Sequence, residues 1–259
     1  MPDTGQLVRS SVRLYYHPEA EQLALRWADR FVLEPAGAFS GAGSEFTLWA
    51  IGDHLELRRP GEKHGLWMRA ADLDRRAKGG PELLRACGLS GQVGEFAGVR
   101  VLDAMAGWGL DGLLLARMGC TLVMVEKHPV IHALLEDFAR RVNLPAVHAY
   151  CGDGFAWLDG SQTFDVIYLD PMFPARRKRA LPGKRMQYLA ALAKEDSRSI
   201  NGWLEAGLGN ASGRVVLKRR LHDPVAAVPD WQITGRTVRY DVYRGQARVV
   251  ARRSRGGRT

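Results

Sequence analysis

Hydrophobic and polar positions fall into two textures along the chain. In "FTLWAIGDHLELRR" they alternate on either side of Gly52-Asp53, which predicts a β-hairpin of residues 46–51 and 54–58. An apolar pattern also runs from Leu23 to Leu33, "GLWMRA" (65–70) reads as a further strand, and residues 1–20 read as an irregular leader. Residues 1–80 are thus expected to form a small α+β module. "GPELLRACGLSG" has Pro81 near a helix start and Gly88 past its end. Beyond it strands and helices alternate: "VRVLDAM", "GLDGLLLARMG", "CTLVMVEK", "VIHALLEDFARRV", "AVHAYCGD", "DVIYLDP" and "GRVVLKRR". "WQITGRTVRYDVYRG" with "ARVVARR" reads as two closing strands in a hairpin. Such alternation predicts a mostly parallel, doubly wound sheet over residues 81–250, with an antiparallel C-terminal hairpin. Residues 251–259 are a basic tail, expected to be disordered.

The turn after the first strand of this second unit is rich in glycine. Gly107, Gly109 and Gly112 spell GxGxxG, and Glu126 ends the next strand, a pattern that suits a dinucleotide. Two details favour S-adenosyl-L-methionine instead. Asp103-Ala104 open the turn, and a carboxylate there repels a pyrophosphate but attracts a ligand with a cationic amine and sulfonium. Gly152-Asp153, after the third strand, offer a polar group where an adenine edge would sit. A plain strand-to-helix turn is the alternative without a ligand.

A second feature ends the fourth strand. In "FDVIYLDPMFPARRKR" the apolar run Val166–Leu169 stops at Asp170, followed by Pro171 and Phe173. Ligands of open α/β sheets bind beyond the carboxyl ends of the strands, so Asp170 should share a cleft with the glycine loop. An acid, a proline and an aromatic suit the methylation of an exocyclic amine. The carboxylate and the Pro171 carbonyl accept the amine's N–H groups and offset the charge that develops on nitrogen. The Phe173 ring would stack on the base, a contact of about 1–3 kcal/mol. The rival reading is an Asp-Pro turn with Phe173 in the core.

Composition narrows the partner. Formal net charge is +9, which favours polyanions. Basic residues gather at Arg75-Arg76 with Lys78, at Arg176-Arg177-Lys178-Arg179, at Lys184-Arg185, at Lys218-Arg219-Arg220 and in the tail. The cluster after Asp170 is the best placed to hold phosphates; a solvated basic surface is the alternative for the others. Three scattered cysteines suggest neither disulfides nor zinc, and the histidines show no metal-ligand spacing. No apolar run approaches the roughly 20 residues of a membrane span, and no secretory signal is visible. A soluble, cytoplasmic protein is expected.

The chain resembles the bacterial small-subunit ribosomal RNA guanine-N2 methyltransferases of the RsmJ type. "HLELR", "DRRAKGG", "DAMAGWGLDG", "MGCTLVMVEKHPVIHALLED", "VIYLDPMFP", "VVLKR" and "RYDVY" carry the resemblance, in order, over about residues 23–245. It implies a class I SAM-dependent methyltransferase domain behind a small N-terminal domain, with 16S ribosomal RNA or the small ribosomal subunit as partner; no metal is expected, because direct methyl transfer from a sulfonium needs only alignment and an activated amine. It also implies donor contacts at Leu110-Asp111, Glu126-Lys127, Gly152-Asp153 and Asp170. The family usually has Arg at the positions of Leu110 and Lys127 and Ser-Ser at that of Gly152-Asp153. Arg75, Arg76 and Lys78, beside Gly79-Gly80, are candidates for contact with RNA.

Three rivals differ in what they require. A DNA adenine-N6 or cytosine-N4 methyltransferase would share Asp170-Pro171 and Phe173 but needs a target-recognition insertion, which the sequence lacks. An NAD(P) oxidoreductase needs a proton donor such as a Tyr-Lys pair, which is not evident. A noncatalytic RNA binder would have no use for Asp170 and Glu126 in a basic cleft.

Overall fold

The computed structural model describes residues 12–40, 45–79, 81–171, 183–192 and 197–247. They build two sheets. The smaller has the order β2-β1-β3-β4, from β1 (Arg13–Tyr16), β2 (Val32–Pro35), β3 (Thr47–Ile51) and β4 (His54–Arg58). The larger has the order β10-β11-β9-β8-β5-β6-β7, from β5 (Arg100–Asp103), β6 (Thr121–Glu126), β7 (Val147–Cys151), β8 (Phe164–Leu169), β9 (Ala211–Arg220), β10 (Trp231–Thr234) and β11 (Val238–Arg244). β5 to β9 run parallel, and β11 is antiparallel to both β9 and β10. Chain order reverses beside β5: β6 lies on one flank and β8 on the other. That switch point is where doubly wound folds bind ligands.

The helices are α1 (Glu21–Leu25), α2 (Ala70–Lys78), α3 (Pro81–Cys87), α4 (Leu110–Ala116), α5 (Pro129–Val142), α6 (Lys184–Leu192) and α7 (Ile200–Asn210). Alternate residues of the large sheet feed two cores. Leu102, Val123, Ile167 and Leu217 pack with Trp203 of α7. Val101, Met124, Val166 and Val216 join the side that contains Leu113 of α4 and Phe138 of α5. This second core continues into Leu14, Leu48, Leu55 and Leu57 of the small sheet. Asp137 pins the junction from α5: it is fully buried and accepts from Leu55 N at 3.1 Å, from Arg140 at 2.8 Å and from Arg141 at 2.9 Å. One hydrophobic body therefore spans the position near residue 80 where the sequence texture changes.

The hairpin turns at Gly52 as expected, since its φ of +54° suits a residue without Cβ. Other expectations need correction. Residues 13–20 are ordered, as β1 and a short 3₁₀ turn, because β1 is a central strand whose Leu14 is buried. "GLWMRA" contributes only a bridge between Leu66 and Leu57, and α2 starts at Ala70. Both closing strands lie within residues 231–244, so "ARVVARR" supplies neither: Ala247 is outside any strand and residues 248–253 are outside the described residues. Among the described residues no helix is long and apolar enough to cross a membrane.

Candidate active site

The candidate site is built at the carboxyl ends of β5, β6 and β8. β5 delivers Asp103, which is 1% exposed. Its Oδ1 has no hydrogen-bond partner, while the Met105 N–H donates to the carboxylate. Burial pushes its proton affinity well up, and the charges of Asp111 and Asp170 push it further. The loop that follows is held from three sides. Ala104 N donates to Tyr168 O at 3.2 Å, Ala106 N to Val125 O at 3.0 Å, and Gly107 N to Glu126 Oε2 at 3.0 Å. Gly109 enters α4 with φ +76°, and a Cβ there would lie 2.1 Å from Leu135 Cδ1.

Glu126, at the end of β6, accepts the loop's Gly107 N–H on one oxygen and His128 N–H, at 2.7 Å, on the other. Burial raises its proton affinity, and these two N–H groups work against that rise. Lys127 is exposed beside it. Gly152 N donates to Glu126 O at 3.0 Å, which ties β7 to the same point. Asp153 caps the 3₁₀ turn of residues 154–158: it accepts Phe155 N at 3.0 Å and pairs with Arg198 at 2.7 Å. Gly154 packs directly on the glycine-rich loop, for a Cβ there would stand 1.9 Å from Ala104 O.

Across the switch point, β8 delivers Asp170. Its Oδ2 accepts Lys218 Nζ at 2.8 Å, and the same ammonium donates to Asp111 Oδ2 at 2.8 Å. Asp111 also accepts Arg76 Nε at 2.5 Å and the Tyr168 hydroxyl at 2.6 Å, and Arg76 donates to the Tyr240 hydroxyl at 3.2 Å. Burial alone would raise Asp111, but Lys218 and Arg76 outweigh it and hold the carboxyl below the ordinary range. Burial would lower Lys218, but Asp170 and Asp111 outweigh it and raise its proton affinity. For Asp170 burial wins: its proton affinity is raised, with Lys218 opposing. Burial is also the main reason that Tyr240 is pushed up to about 12.

The sequence-based candidates thus divide. Asp103, Ala104, Gly107, Gly109, Glu126, Gly152, Asp153, Asp170 and Pro171 converge on the strand ends. Leu110 packs partly buried against the core at the start of α4, and Asp111 sits in the ion network. Arg76 calls for a correction: it points inward to Asp111, its charge already paired, because α2 packs against α4. Lys184 pairs with Glu62 at 2.9 Å and Arg185 pairs with Asp72, whereas Lys78 is exposed and Arg75 reaches Asp72 from a largely exposed position. Phe173, Arg176, Arg177, Lys178 and Arg179 lie outside the described residues. Lys218 was legible only as part of a basic surface cluster. Its clue was position, since Leu217 pairs with Leu169 and the next residue on each strand is therefore Lys218 beside Asp170.

Relatives agree with this architecture. A family model for SAM-dependent methyltransferases matches residues 40–245. The chain is 34% identical over 242 residues to the ribosomal RNA small subunit methyltransferase J of Pseudomonas savastanoi pv. phaseolicola, covering 86% of this chain and 87% of that protein. The chain belongs to this methyltransferase J family. The Marinobacter nauticus member is 35% identical over 215 residues, covering 70% of this chain and 75% of the relative. A crystal structure of a SAM-dependent methyltransferase from Neisseria gonorrhoeae superposes with a TM-score of 0.68 at 26% identity, covering 90% of this chain and 96% of that one. The protein is accordingly a class I, SAM-dependent methyltransferase, and S-adenosyl-L-methionine is its methyl donor. The residues present fit that donor: Asp103 Oδ1 is a buried acceptor without a partner, the complement that a cationic amine requires.

Proposed function

We propose that this enzyme methylates the exocyclic N2 amine of a guanosine in 16S ribosomal RNA, as naked RNA or within the small ribosomal subunit, in the cytoplasm. The observation that carries the reading is Asp170: a carboxylate at the end of β8, flanking the β5 strand end that holds Asp103. The names of the family members, ribosomal RNA methyltransferases, support the substrate class.

The bound donor supplies an electrophilic methyl group on a sulfonium. Asp103 and Glu126 are the acceptors suited to its amine and its ribose, and the Gly107–Gly109 turn lets backbone approach it. Asp170 and the Pro171 carbonyl accept the two N–H groups of the guanine amine and turn its nitrogen lone pair toward the methyl. As the C–N bond forms and the S–C bond breaks, positive charge grows on nitrogen, and the Asp170 carboxylate offsets it. One N2 proton then leaves, and Asp170, with its raised proton affinity, is the group placed to take it. Phe173, three residues further on, is the candidate stacking ring.

The test is transfer of labelled methyl from S-adenosyl-L-methionine to small ribosomal subunits, free 16S RNA and duplex DNA, with the product nucleoside identified by mass. N2-methylguanosine in ribosomal RNA is the expected product. Methylated adenine or cytosine, or label in DNA only, would overturn the substrate assignment.

A further inference from the structure

The reaction proposed above needs Asp170 as an acceptor, yet burial raises its proton affinity, with Lys218 opposing. Five described groups face it. Asp111 from α4 and Asp103 from β5 are negative neighbours, Tyr168 from β8 is a neutral hydroxyl, and Lys218 from β9 and Arg76 from α2 are the cations. Arg76 gives its hydrogen bonds to Asp111 and Tyr240, so Lys218 is the only one of the two cations bonded to Asp170. Its ammonium occupies Asp170 Oδ2, while Oδ1 takes no hydrogen bond from any described residue.

Resting on that functional reading, we propose that Lys218 is a positioning residue for methyl transfer: its charge keeps Asp170 an anion, and its hydrogen bond fixes Oδ2 so that Oδ1 is presented to the amine. The arrangement is asymmetric in a useful way. Asp111 is tied on both oxygens, by Arg76 on one and by Tyr168 and Lys218 on the other. It therefore anchors the lysine at a fixed point, and the lysine in turn sets where Asp170 stands. The residue touches neither donor nor base in this scheme and acts through Asp170 alone.

The test compares wild type, Lys218→Met, Lys218→Gln and Lys218→Arg for kcat against pH, KM for ribosomal RNA and donor affinity. With the charge gone, Asp170 faces Asp111 without its ion partner, so its protonation moves to higher pH. Lys218→Met should lower kcat at pH 7 on the order of 10²-fold. The acid limb of its kcat profile should move up by at least about one pH unit, with activity returning as pH rises. KM for RNA and donor affinity should change only a few-fold. Lys218→Arg, which keeps the charge, should leave the limb near its wild-type position. Should Lys218→Met fail to fold, Lys218→Gln keeps an N–H donor while dropping the charge and must show the same limb shift. A limb that stays in place in every uncharged variant would overturn the proposal, whatever the loss of rate. Wild-type enzyme that methylates no ribosomal RNA would overturn the functional reading instead, a distinct result.

Discussion

Replacing Asp103 by Asn should move stability and donor affinity in opposite directions. Asp103 is buried with Oδ1 unpartnered, and burial together with Asp111 and Asp170 raises its proton affinity well above the ordinary value. Before the donor binds, folding must either protonate this carboxyl or bury its charge. The sign follows from linkage. A carboxyl whose folded proton affinity exceeds its unfolded one contributes stability that is full below about pH 4 and is lost as pH rises toward the folded value. Each pH unit is worth about 1.4 kcal/mol, so from an unfolded value of about 3.9 to pH 7 the cost of Asp103 reaches at most about 4 kcal/mol. Asn has nearly the same shape and no proton to lose. At about 2–4 °C per kcal/mol, Asp103→Asn should raise the melting midpoint of donor-free protein at pH 7, by no more than roughly 8–16 °C. The gain should vanish near pH 4. Donor affinity should instead fall, since a charge-assisted hydrogen bond worth about 1.5–3 kcal/mol becomes at best an ordinary one worth about 0.5–1.5 kcal/mol; the difference of about 1–1.5 kcal/mol is roughly 5- to 13-fold. Titration calorimetry in buffers of different ionisation enthalpy separates the terms. Any proton that the wild-type Asp103 carboxyl releases as donor binds should be missing from the Asn variant. Equal affinity in the two proteins, or a variant that melts lower at pH 7, would refute the reasoning.

Other perturbations follow from the same geometry. Asp170→Ala should abolish methyl transfer while leaving donor binding measurable by calorimetry, and full turnover in that variant would remove Asp170 from the reaction. Gly154→Ala would set a Cβ 1.9 Å from Ala104 O, a backbone atom that cannot rotate away. Overpacking of this kind costs about 1–3 kcal/mol, and thermal melts with donor titration should show lower stability and weaker donor binding together. RNA binding should weaken steeply with salt, and Arg75→Ala or Lys78→Ala should each reduce the slope of log K against log salt by about 0.7. An unchanged slope would leave those two charges as solvated surface.

Much of the fold was legible because its signals are local. The hairpin at Gly52, the bounds of α3 between Pro81 and Gly88, and the buried runs of β5, β6, β8 and β9 each depend on neighbours a few residues away. The β1 strand was not legible, because only its pairing with β2 and β3 makes residues 13–16 a strand rather than a leader. α6 was hidden for a related reason. Its apolar pattern is weak, and its described contacts are distant in sequence: Tyr188 donates to Glu62 at 2.5 Å, and Trp108 Nε1 donates to Arg185 O at 3.2 Å.

The candidate site shows the same division in its electrostatics. Asp103, Glu126 and Asp170 could be read directly, since each ends a strand and the ends of parallel strands meet. What could not be read is how those acids are balanced. The contacts of Asp111 with Arg76, of Lys218 with Asp170 and of Lys218 with Asp111 join positions 35, 48 and 107 residues apart. A basic residue gives no local sign of whether it faces solvent or a buried acid, so Arg76 and Lys218 looked like the surface cations around them. Yet the chemistry itself implies such partners. Four carboxylates, Asp103, Asp111, Glu126 and Asp170, gather at the strand ends, and Arg76 and Lys218 offset Asp111 and Asp170. The imbalance that remains rests on Glu126, which accepts two backbone N–H groups, and on Asp103, whose buried Oδ1 has no partner. A ligand bearing positive charge relieves that imbalance and one bearing phosphates would deepen it, so the charge count in the cleft selects S-adenosyl-L-methionine over a dinucleotide.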